Sequence, residues 1–328
     1  MNGEFNHKIF SLSTESFEQE ALAVYRHQWE HNSLYRKYAE MIGKIPENTG
    51  RLEDIPFLPV TLFKSHRVAT GEFADAAVFE SSGTTGTTVS RHYIKDLQLY
   101  RQSYLGAFKQ FYGSPSSYCI LGLLPSYLER GHSSLVYMVN DLVMKSTHPR
   151  SGFYLYDHAK LADTLAELES TGQRTLLIGV TFALLDFAAH HPMPLKHTII
   201  METGGMKGRR QEMTREEVHE VLKDAFHIRH IHSEYGMTEL LSQAYATHDG
   251  IFHTPPWMRI LVRDEDDPFT LHQGVNTRGG INVVDLANIH SCSFIATEDV
   301  GRLYSDGSFE VLGRMDGSEL RGCSLMVV

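Results

Sequence analysis

The sequence predicts an α/β fold with a β-rich carboxyl end, and three observations support this prediction. Apolar runs at 118–124, 175–180 and 197–201 are typical of buried strands, and helical patterns alternate with them. Past residue 255 the helical signal fades and strand-like pieces dominate. The composition, 42% hydrophobic and 21% charged in a chain of 328 residues, is that of a globular protein able to bury a sizeable core.

The first third of the chain predicts two helical stretches separated by prolines. A helix is expected over 14–42, because apolar residues recur there at intervals that place them on one face. Three prolines between 46 and 59 then forbid a continuous helix. Helical spacing resumes near Leu97, and Gly113 is expected to end that helix.

The middle of the chain predicts strands and helices in alternation. The apolar run 135–143 is expected to form another buried strand, and leucines between 161 and 168 mark a helix. Thr214 followed by Glu217 resembles a capping box that opens a helix at 215–225.

The carboxyl end predicts strands joined by tight turns. The pieces MRILVR, GGINVVD and GRLYSDGSFEVLGR are strand-like, and Asp306-Gly307 in the last piece predicts a hairpin turn. Because no repeat or long linker interrupts the chain, we expect a single domain over 1–328. Its parts are a helical and proline-rich lead-in at 1–75, an α/β core at 76–255, a β-rich end at 256–322 and a tail at 323–328.

Charge and cysteine content exclude several classes of protein. A formal net charge of −10 is the wrong sign for a general nucleic-acid binder. Cys119, Cys292 and Cys323 show no CxxC spacing, so a disulfide framework is not expected and a reducing cytoplasm fits best. The amino terminus lacks the pattern of a signal peptide. The most apolar stretch, 175–189, is too short for a membrane span.

A loop rich in glycine and hydroxyl residues is the first candidate for chemistry. Ser81-Ser82-Gly83-Thr84-Thr85-Gly86 follows a strand-like run at 76–79. Glycines let backbone N–H groups approach phosphate oxygens closely, and hydroxyls add donors. The same composition also suits an ordinary polar turn, so both interpretations stay open.

A second candidate is Tyr235-Gly236-Met237-Thr238-Glu239, which follows a strand-like stretch. A hydroxyl and a carboxylate at the end of a strand could hold a phosphate oxygen and a magnesium ion. The alternative is a strand-to-helix turn in which Thr238 is the cap and Glu239 is solvated.

Five motifs in the expected order resemble those of the adenylate-forming superfamily of acyl-CoA synthetases, luciferases and peptide-synthetase adenylation domains. SSGTTGTTVS resembles its phosphate loop and YGMTE its adenine and magnesium motif. ETGGM at 202–206 resembles the strand end beside the adenine, TEDVGR at 297–302 the motif that binds the ribose, and GRMDG at 313–317 the hinge that ends the large domain. The resemblance implies the large amino-terminal domain of that superfamily.

Within the superfamily the sequence most resembles the acyl-protein synthetase of the bacterial bioluminescence fatty-acid reductase complex. The similar segments are IPFLPVTLFKSH at 55–66, LLPSYLERGHSSLVYM at 123–138 and GRMDGSELRGCSL at 313–325. That family activates a fatty acid as acyl-adenylate and then holds it as a thioester on a cysteine near its carboxyl terminus. Cys323 occupies the matching place.

Two departures from the superfamily pattern affect these expectations. The phosphate loop continues without the usual Pro-Lys-Gly, so Arg91 would supply any cation there. The sequence also stops about ten residues after the hinge motif, which implies that the small carboxyl-terminal domain with its catalytic lysine is absent.

The resemblance implies ATP and Mg²⁺ as cofactors, a carboxylic acid as substrate, and an acyl reductase or an acyl-carrier thiol as partner. The implied roles are phosphate binding by Ser81, Ser82, Gly83, Thr84, Thr85, Gly86 and Thr238, adenine binding by Gly204, Gly205, Tyr235 and Gly236, magnesium binding by Glu239, ribose binding by Asp299, ribose or phosphate binding by Arg314, and acyl transfer by Cys323. Two alternatives remain: a ligase that passes the acyl group to coenzyme A or a carrier protein, and a nucleotide-binding partner subunit without turnover.

Histidines at 227, 230 and 232 also suggest a metal site. No carboxylate or cysteine completes a familiar zinc spacing, so histidines on the surface of a strand or in the core are the favoured interpretation.

Overall fold

The described part of the chain divides into two units, which we call the terminal unit and the central unit. The terminal unit contains the residues up to Phe73 and those from Pro256 onward, and the central unit spans Ala74–Pro255. The structure is a computed structural model, and it describes residues 9–13, 15–82, 88–125, 131–204, 213–272, 274 and 276–315.

The terminal unit begins with two helices where the sequence predicts one. Helix α1 spans Phe17–His31 and α2 spans Ser33–Met41. Asn32 separates them, because its Oδ1 accepts a hydrogen bond from the N–H of Tyr35 (3.0 Å) and so caps α2. Two short 3₁₀ turns, strand β1 (Leu58–Pro59) and helix α3 (Leu62–Ser65) follow, so the prolines exclude a continuous helix as predicted.

A buried glutamine anchors α1 within the terminal unit. Gln28 Nε2 donates to the carbonyl oxygens of Asn288 and Ile289, both at 3.1 Å, and Gln28 Oε1 accepts from the N–H of Ser293 at 2.9 Å. The side chain is fully buried. A buried amide that meets its hydrogen-bonding partners specifies one position of the helix against the loop.

The central unit begins with a hairpin and a long helix. Strands β2 (Ala77–Glu80) and β3 (Arg91–Ile94) pair antiparallel, and α4 spans Leu97–Tyr112. Asp96 caps α4, since its Oδ1 accepts from the N–H of Gln98 at 2.8 Å. Gly113 ends the helix with φ +81°, as predicted.

Strands and helices then alternate around a mainly parallel sheet. In chain order the elements are β4 (Cys119–Leu123), α5 (Ser134–Ser146), β5 (Gly152–Phe153), α6 (His158–Thr171), β6 (Thr175–Val180), α7 (Thr181–His190), β7 (Thr198–Thr203), α8 (Arg215–Phe226), β8 (His232–Tyr235), β9 (Ala244–Ala246) and β10 (Phe252–His253). The strand order within this unit is β10-β9-β8-β7-β6-β4-β5. Strands β4 to β8 are parallel, whereas β9 and β10 are antiparallel to their neighbours.

The prediction of a strand at 135–143 is wrong, because this run lies inside helix α5. Ser133 caps the helix by accepting from the N–H of Val136 (3.4 Å). Several turns of α5 are buried, and the buried set includes Val136, Val139 and Leu142. A helix with such a wide apolar face reads as a continuous apolar run. Its sequence therefore lacks the regularly spaced polar residues by which a helix is distinguished from a buried strand.

Most other predicted elements of the central unit are confirmed. The leucines between 161 and 168 lie on α6 and pack in one core with α7 and α8. Each such fully buried leucine contributes about 2 kcal/mol of hydrophobic stabilisation. Thr214 and Glu217 form the predicted capping box of α8, with bonds of 3.2 and 2.7 Å.

The later part of the terminal unit is an antiparallel sheet. Its strands are β11 (Met258–Arg263), β12 (Thr277–Asp285), β13 (Phe294–Leu303) and β14 (Phe309–Arg314), in that spatial order, and β1 pairs parallel with β13. The predicted hairpin turn is confirmed, since Gly307 adopts φ +84° and the N–H of Tyr304 donates to the carbonyl oxygen of Ser308 at 2.8 Å. None of the helices in the described residues combines the length and apolarity that crossing a membrane demands.

Candidate functional site

The hydroxyl-rich loop predicted to bind phosphate begins where β2 ends. In the β2–β3 hairpin, Glu80 lies opposite Arg91. Ser81 extends the pairing, because its N–H donates to the carbonyl oxygen of Ser90 (3.1 Å) and its Oγ accepts from the N–H of Ser90 (3.0 Å). The hairpin therefore holds the two ends of the loop together. Ser82 is described, whereas Gly83, Thr84, Thr85 and Gly86 lie outside the described residues.

The cation expected beside this loop is held by a carboxylate. Arg91 Nε lies 3.1 Å from Glu80 Oε1, and both side chains are exposed. An ion pair in this setting is weak, since water and salt screen it. A phosphate oxygen could therefore compete with Glu80 for Arg91.

The residues predicted to border the adenine lie at the carboxyl ends of two neighbouring strands. Strands β7 and β8 are parallel and pair up to Thr203 of β7. Gly204 follows β7 with φ +74°, a conformation that favours glycine. Tyr235 ends β8 and Gly236 follows it. In parallel sheets the carboxyl ends of neighbouring strands are where ligands bind. Gly205 lies outside the described residues.

A buried carboxylate, that of Glu202, connects the carboxyl end of β7 to the neighbouring helices. The Thr181 hydroxyl lies 3.1 Å from Glu202 Oε2 and 2.9 Å from the carbonyl oxygen of Gly204. Arg215 Nε and His219 Nε2 lie 3.2 and 3.8 Å from Glu202 Oε1. Burial opposes ionisation, but hydrogen bonding to His219 and the charge of Arg215 outweigh it, so the pKa of Glu202 lies below its ordinary value. Glu202 is therefore ionised, and it ties the end of β7 to α7 and α8.

A second buried carboxyl group lies on β8, directly before Tyr235. Glu234 is 7% exposed, and its Oε2 accepts a hydrogen bond from the Thr203 hydroxyl. Burial raises the pKa of Glu234 to about 7, with the hydrogen bond from Thr203 opposing and the charge of Glu202 adding to the effect. Adjacent strands thus carry one ionised carboxylate and one carboxyl group that is protonated about half of the time near neutral pH.

The YGMTE segment is buried at its two ends, Tyr235 and Glu239, and is fastened to β3. The Tyr235 ring lies edge-on to Phe252, with centroids 5.9 Å apart. The carbonyl oxygen of Thr238 accepts a hydrogen bond from His92 Nδ1 on β3 at 2.8 Å. Glu239 is only 6% exposed. The alternative of a solvated Glu239 in a strand-to-helix turn is therefore wrong, and the segment leads into β9 instead of a helix.

Asp299 and Arg314 are neighbours in the terminal unit. They lie opposite each other on β13 and β14. Arg314 Nη2 lies 3.2 Å from Glu298 Oε2, and its Nε lies 3.8 Å from Asp299 Oδ1. The structure thus places side by side the two residues that the resemblance assigns to the ribose.

The two cysteines in the described residues are poor candidates for a nucleophile. Both are buried. Burial raises the pKa of Cys119 to about 11 and that of Cys292 to about 12. Acyl transfer needs a thiolate, and few of these groups are ionised near neutral pH. Cys323, the predicted nucleophile, lies outside the described residues.

The predicted magnesium ligand is a single carboxylate, that of Glu239. The described residues hold no group of three His, Cys, Asp or Glu side chains placed to bind a metal ion. Magnesium usually takes one or two protein carboxylates and completes its shell with water and substrate phosphates. A single carboxylate in the predicted nucleotide motif therefore suits an ion that binds together with ATP.

Several residues at these strand ends were not predicted as site residues. Thr181, Arg215 and His219 reach Glu202 from two helices, and His92 reaches Thr238 across 146 residues of sequence. No spacing in the sequence signals these contacts. Glu234 could have been noticed, because it is a carboxylate in a strand-like stretch beside Tyr235.

Comparison with known proteins agrees with the motif analysis. The family model described as "Acyl-protein synthetase, LuxE" matches residues 6–125. A long-chain-fatty-acid–luciferin-component ligase from Photorhabdus luminescens is 36% identical over 66 residues, which cover 20% of this chain and 56% of that relative.

Solved structures show a shared fold at low identity. ATP-bound MatB from Rhodopseudomonas palustris is 16% identical with a TM-score of 0.55, and the match covers 73% of this chain and 48% of that chain. A 2-hydroxyisobutyryl-CoA ligase in complex with 2-HIB-AMP is 14% identical with a TM-score of 0.62, covering 91% and 68%. The chain spans about half the length of the first relatives that it matches. The resemblance to acyl-protein synthetases is thereby confirmed for residues 6–125, and the solved structures show that the fold is shared.

Proposed function

We propose that the protein activates a carboxylic acid with ATP and passes the acyl group to a thiol. A carboxylate oxygen attacks the α-phosphorus of ATP, the bond from that phosphorus to the bridging oxygen breaks, and pyrophosphate leaves. A thiolate then attacks the carbonyl carbon of the acyl-AMP, and AMP leaves. The match of residues 6–125 to acyl-protein synthetases supports this reaction.

The observation that carries the proposal is the hydrogen bond from His92 to the Thr238 carbonyl oxygen. It fastens the YGMTE segment to β3, the strand that directly follows the hydroxyl-rich loop. Two motifs that are far apart in sequence are thereby linked within the central unit. Phosphoryl-type transfer needs mainly positioned donors and charge neutralisation, which loops held in this way can supply.

Each predicted site residue has a proposed role in this reaction. Ser81 and Ser82, with Gly83, Thr84, Thr85 and Gly86, hold the β- and γ-phosphates; Thr238 holds the α-phosphate; Gly204, Gly205, Tyr235 and Gly236 border the adenine; Asp299 binds the ribose diol; and Arg314 binds the ribose or the phosphates.

Glu239 would hold Mg²⁺ through its carboxylate. When bound, the ion supplies positive charge that offsets the charge of the phosphates. The chain itself keeps Glu239 in place, because the hydrogen bond to His92 fixes the backbone at the preceding residue.

The finer parts of the proposal concern the acid, the acceptor and the setting. A relative named as a long-chain-fatty-acid ligase favours a fatty acid. The acceptor is Cys323, since burial holds the pKa values of Cys119 and Cys292 high. An acyl reductase or an acyl-carrier thiol would receive the group, and the setting is the cytoplasm.

The test is ATP–pyrophosphate exchange across a panel of carboxylic acids of increasing chain length. We expect exchange with at least one acid, and loss of about a hundredfold in Glu239→Gln. Glu220→Gln, an exposed position on α8, is the matched control and should retain full exchange. ATP binding without exchange, alone or with a reductase, would instead identify a partner subunit without turnover.

Acyl transfer is tested separately by intact-mass detection of an acyl adduct. We expect a hydroxylamine-labile adduct that disappears in Cys323→Ser. If the adduct remains in that variant, Cys323 is not the acceptor.

A second candidate is a ligase that uses coenzyme A as the acceptor. It is favoured by the match to a solved CoA ligase over 91% of this chain. AMP release that requires coenzyme A, with no adduct on the protein, would select this candidate.

A further inference from the structure

A buried arginine in the terminal unit binds four acceptors at once. Arg263 ends β11 and is 5% exposed. Its Nη1 donates to the carbonyl oxygen of Ile281 (2.8 Å) and to Asn282 Oδ1 (2.7 Å). Its Nη2 donates to the carbonyl oxygen of Thr297 and to Met315 Sδ, the latter at 3.3 Å. A planar guanidinium presents its donors in a rigid fork, so this set of contacts fixes β12, β13 and the end of β14 relative to one another.

Two glycines on β12 make room for Arg263, one for its side chain and one for its backbone. Gly280 lies opposite Arg263 in the β11–β12 pairing. A Cβ at Gly280 would lie 2.7 Å from Arg263 Cζ and 2.9 Å from Nε. A Cβ at Gly279 would meet the carbonyl oxygen of Arg263. The sheet is thus built around the guanidinium at this point, and any larger residue at Gly280 must displace it.

The Arg263 guanidinium holds residues near Asp299 from β13 and from the end of β14. The Thr297 hydroxyl oxygen accepts a hydrogen bond from the N–H of Asp299 (3.1 Å), and Thr297 is one of the residues that the guanidinium holds. Met315, which it also holds, donates its N–H to the carbonyl oxygen of Glu298 at 2.8 Å. Arg314, opposite Asp299, precedes Met315 directly. The backbone around Asp299 is therefore fixed from β13 and from β14 by one side chain.

We propose that Arg263 is a positioning residue that presents the Asp299 carboxylate to the ribose hydroxyls of the nucleotide. This inference rests on the proposed function, in which Asp299 binds the ribose diol. Lysine cannot replace arginine here, because one ammonium group cannot reach four acceptors spread over three strands. Loss of the guanidinium would weaken the contact to the ribose and leave the contacts to adenine and phosphate intact.

The test compares binding of ATP and of 2′,3′-dideoxyATP to the full chain by calorimetry. We expect the wild-type protein to prefer ATP by about tenfold or more, the effect of one or two hydrogen bonds to a charged group. Arg263→Lys should bring this ratio close to one by weakening ATP alone. Arg278→Lys on β12, whose side chain is 60% exposed and pairs with Glu265, is the matched control and should keep the ratio.

A second variant guards against a folding defect at the buried arginine. Gly280→Ala keeps Arg263 but pushes on its guanidinium, so the ratio should fall here too. The proposal is overturned if Arg263→Lys and Gly280→Ala keep the wild-type ratio, or if they weaken both nucleotides equally. Asp299→Asn tests the ribose assignment on its own. If the wild-type protein shows no preference, or if Asp299→Asn preserves it, the proposed ribose site fails and the positioning role fails with it.

Discussion

The buried carboxyl group of Glu234 makes the stability of the protein depend on pH. Burial raises its pKa from 4.5 to about 7, against the hydrogen bond from Thr203 and with a contribution from Glu202. The folded protein therefore binds this proton more tightly than the unfolded chain does. The resulting stabilisation is complete below pH 4.5 and is lost as the pH rises through 7. At about 1.4 kcal/mol per pKa unit, the full loss is about 3 kcal/mol.

Substitution Glu234→Gln removes the titration and keeps a side chain of the same shape beside Thr203. The free energy of unfolding in urea should be measured between pH 5 and pH 8. We expect the wild-type protein to lose about 2 to 3 kcal/mol more than the variant over this range. Glu220→Gln, at an exposed position on α8, should behave like the wild type. Parallel pH profiles for wild type and Glu234→Gln would refute the reasoning.

Three further substitutions test other contacts. Glu202→Gln removes the charge that Arg215 pairs with and should lower the free energy of unfolding in urea by about 3 kcal/mol. An unchanged unfolding midpoint would show that this ion pair contributes little to stability. Gly236→Ala places a Cβ against a Glu234 carboxyl oxygen, so pyrophosphate exchange should fall about tenfold, and full activity would contradict this crowding. Tyr35→Phe removes a buried hydroxyl that donates to a carbonyl oxygen at 2.7 Å, so it should lower the free energy of unfolding by about 2 kcal/mol. Identical unfolding curves for this variant and the wild type would contradict this prediction.

The elements predicted correctly are those whose signals are local. The capping box at Thr214 and Glu217, the helix end at Gly113 and the hairpin turn at Gly307 each depend on a few neighbouring residues. The error at 135–143 arose because a largely buried helix and a buried strand have similar apolar runs. The cap at Ser133 was the local signal that would have distinguished them.

The candidate site shows the same division. Motifs placed Tyr235 and Glu239 in the predicted nucleotide site, since a motif is a short run of sequence. They did not predict that Glu239 is buried, nor that Glu234 beside Tyr235 titrates near neutral pH. Both properties depend on packing, because burial and neighbouring charge set a pKa and neither can be read from spacing.

The sequence by itself determined the fold class, most of the helices and strands, and the family resemblance, because periodicity, caps and short motifs are local. Only the tertiary structure decided which distant residues meet: His92 with Thr238, Glu202 with Arg215, and Arg263 with Thr297. These contacts depend on which strands pair and which helices pack together. Burial of the whole core determines that arrangement, and no short stretch of sequence contains it.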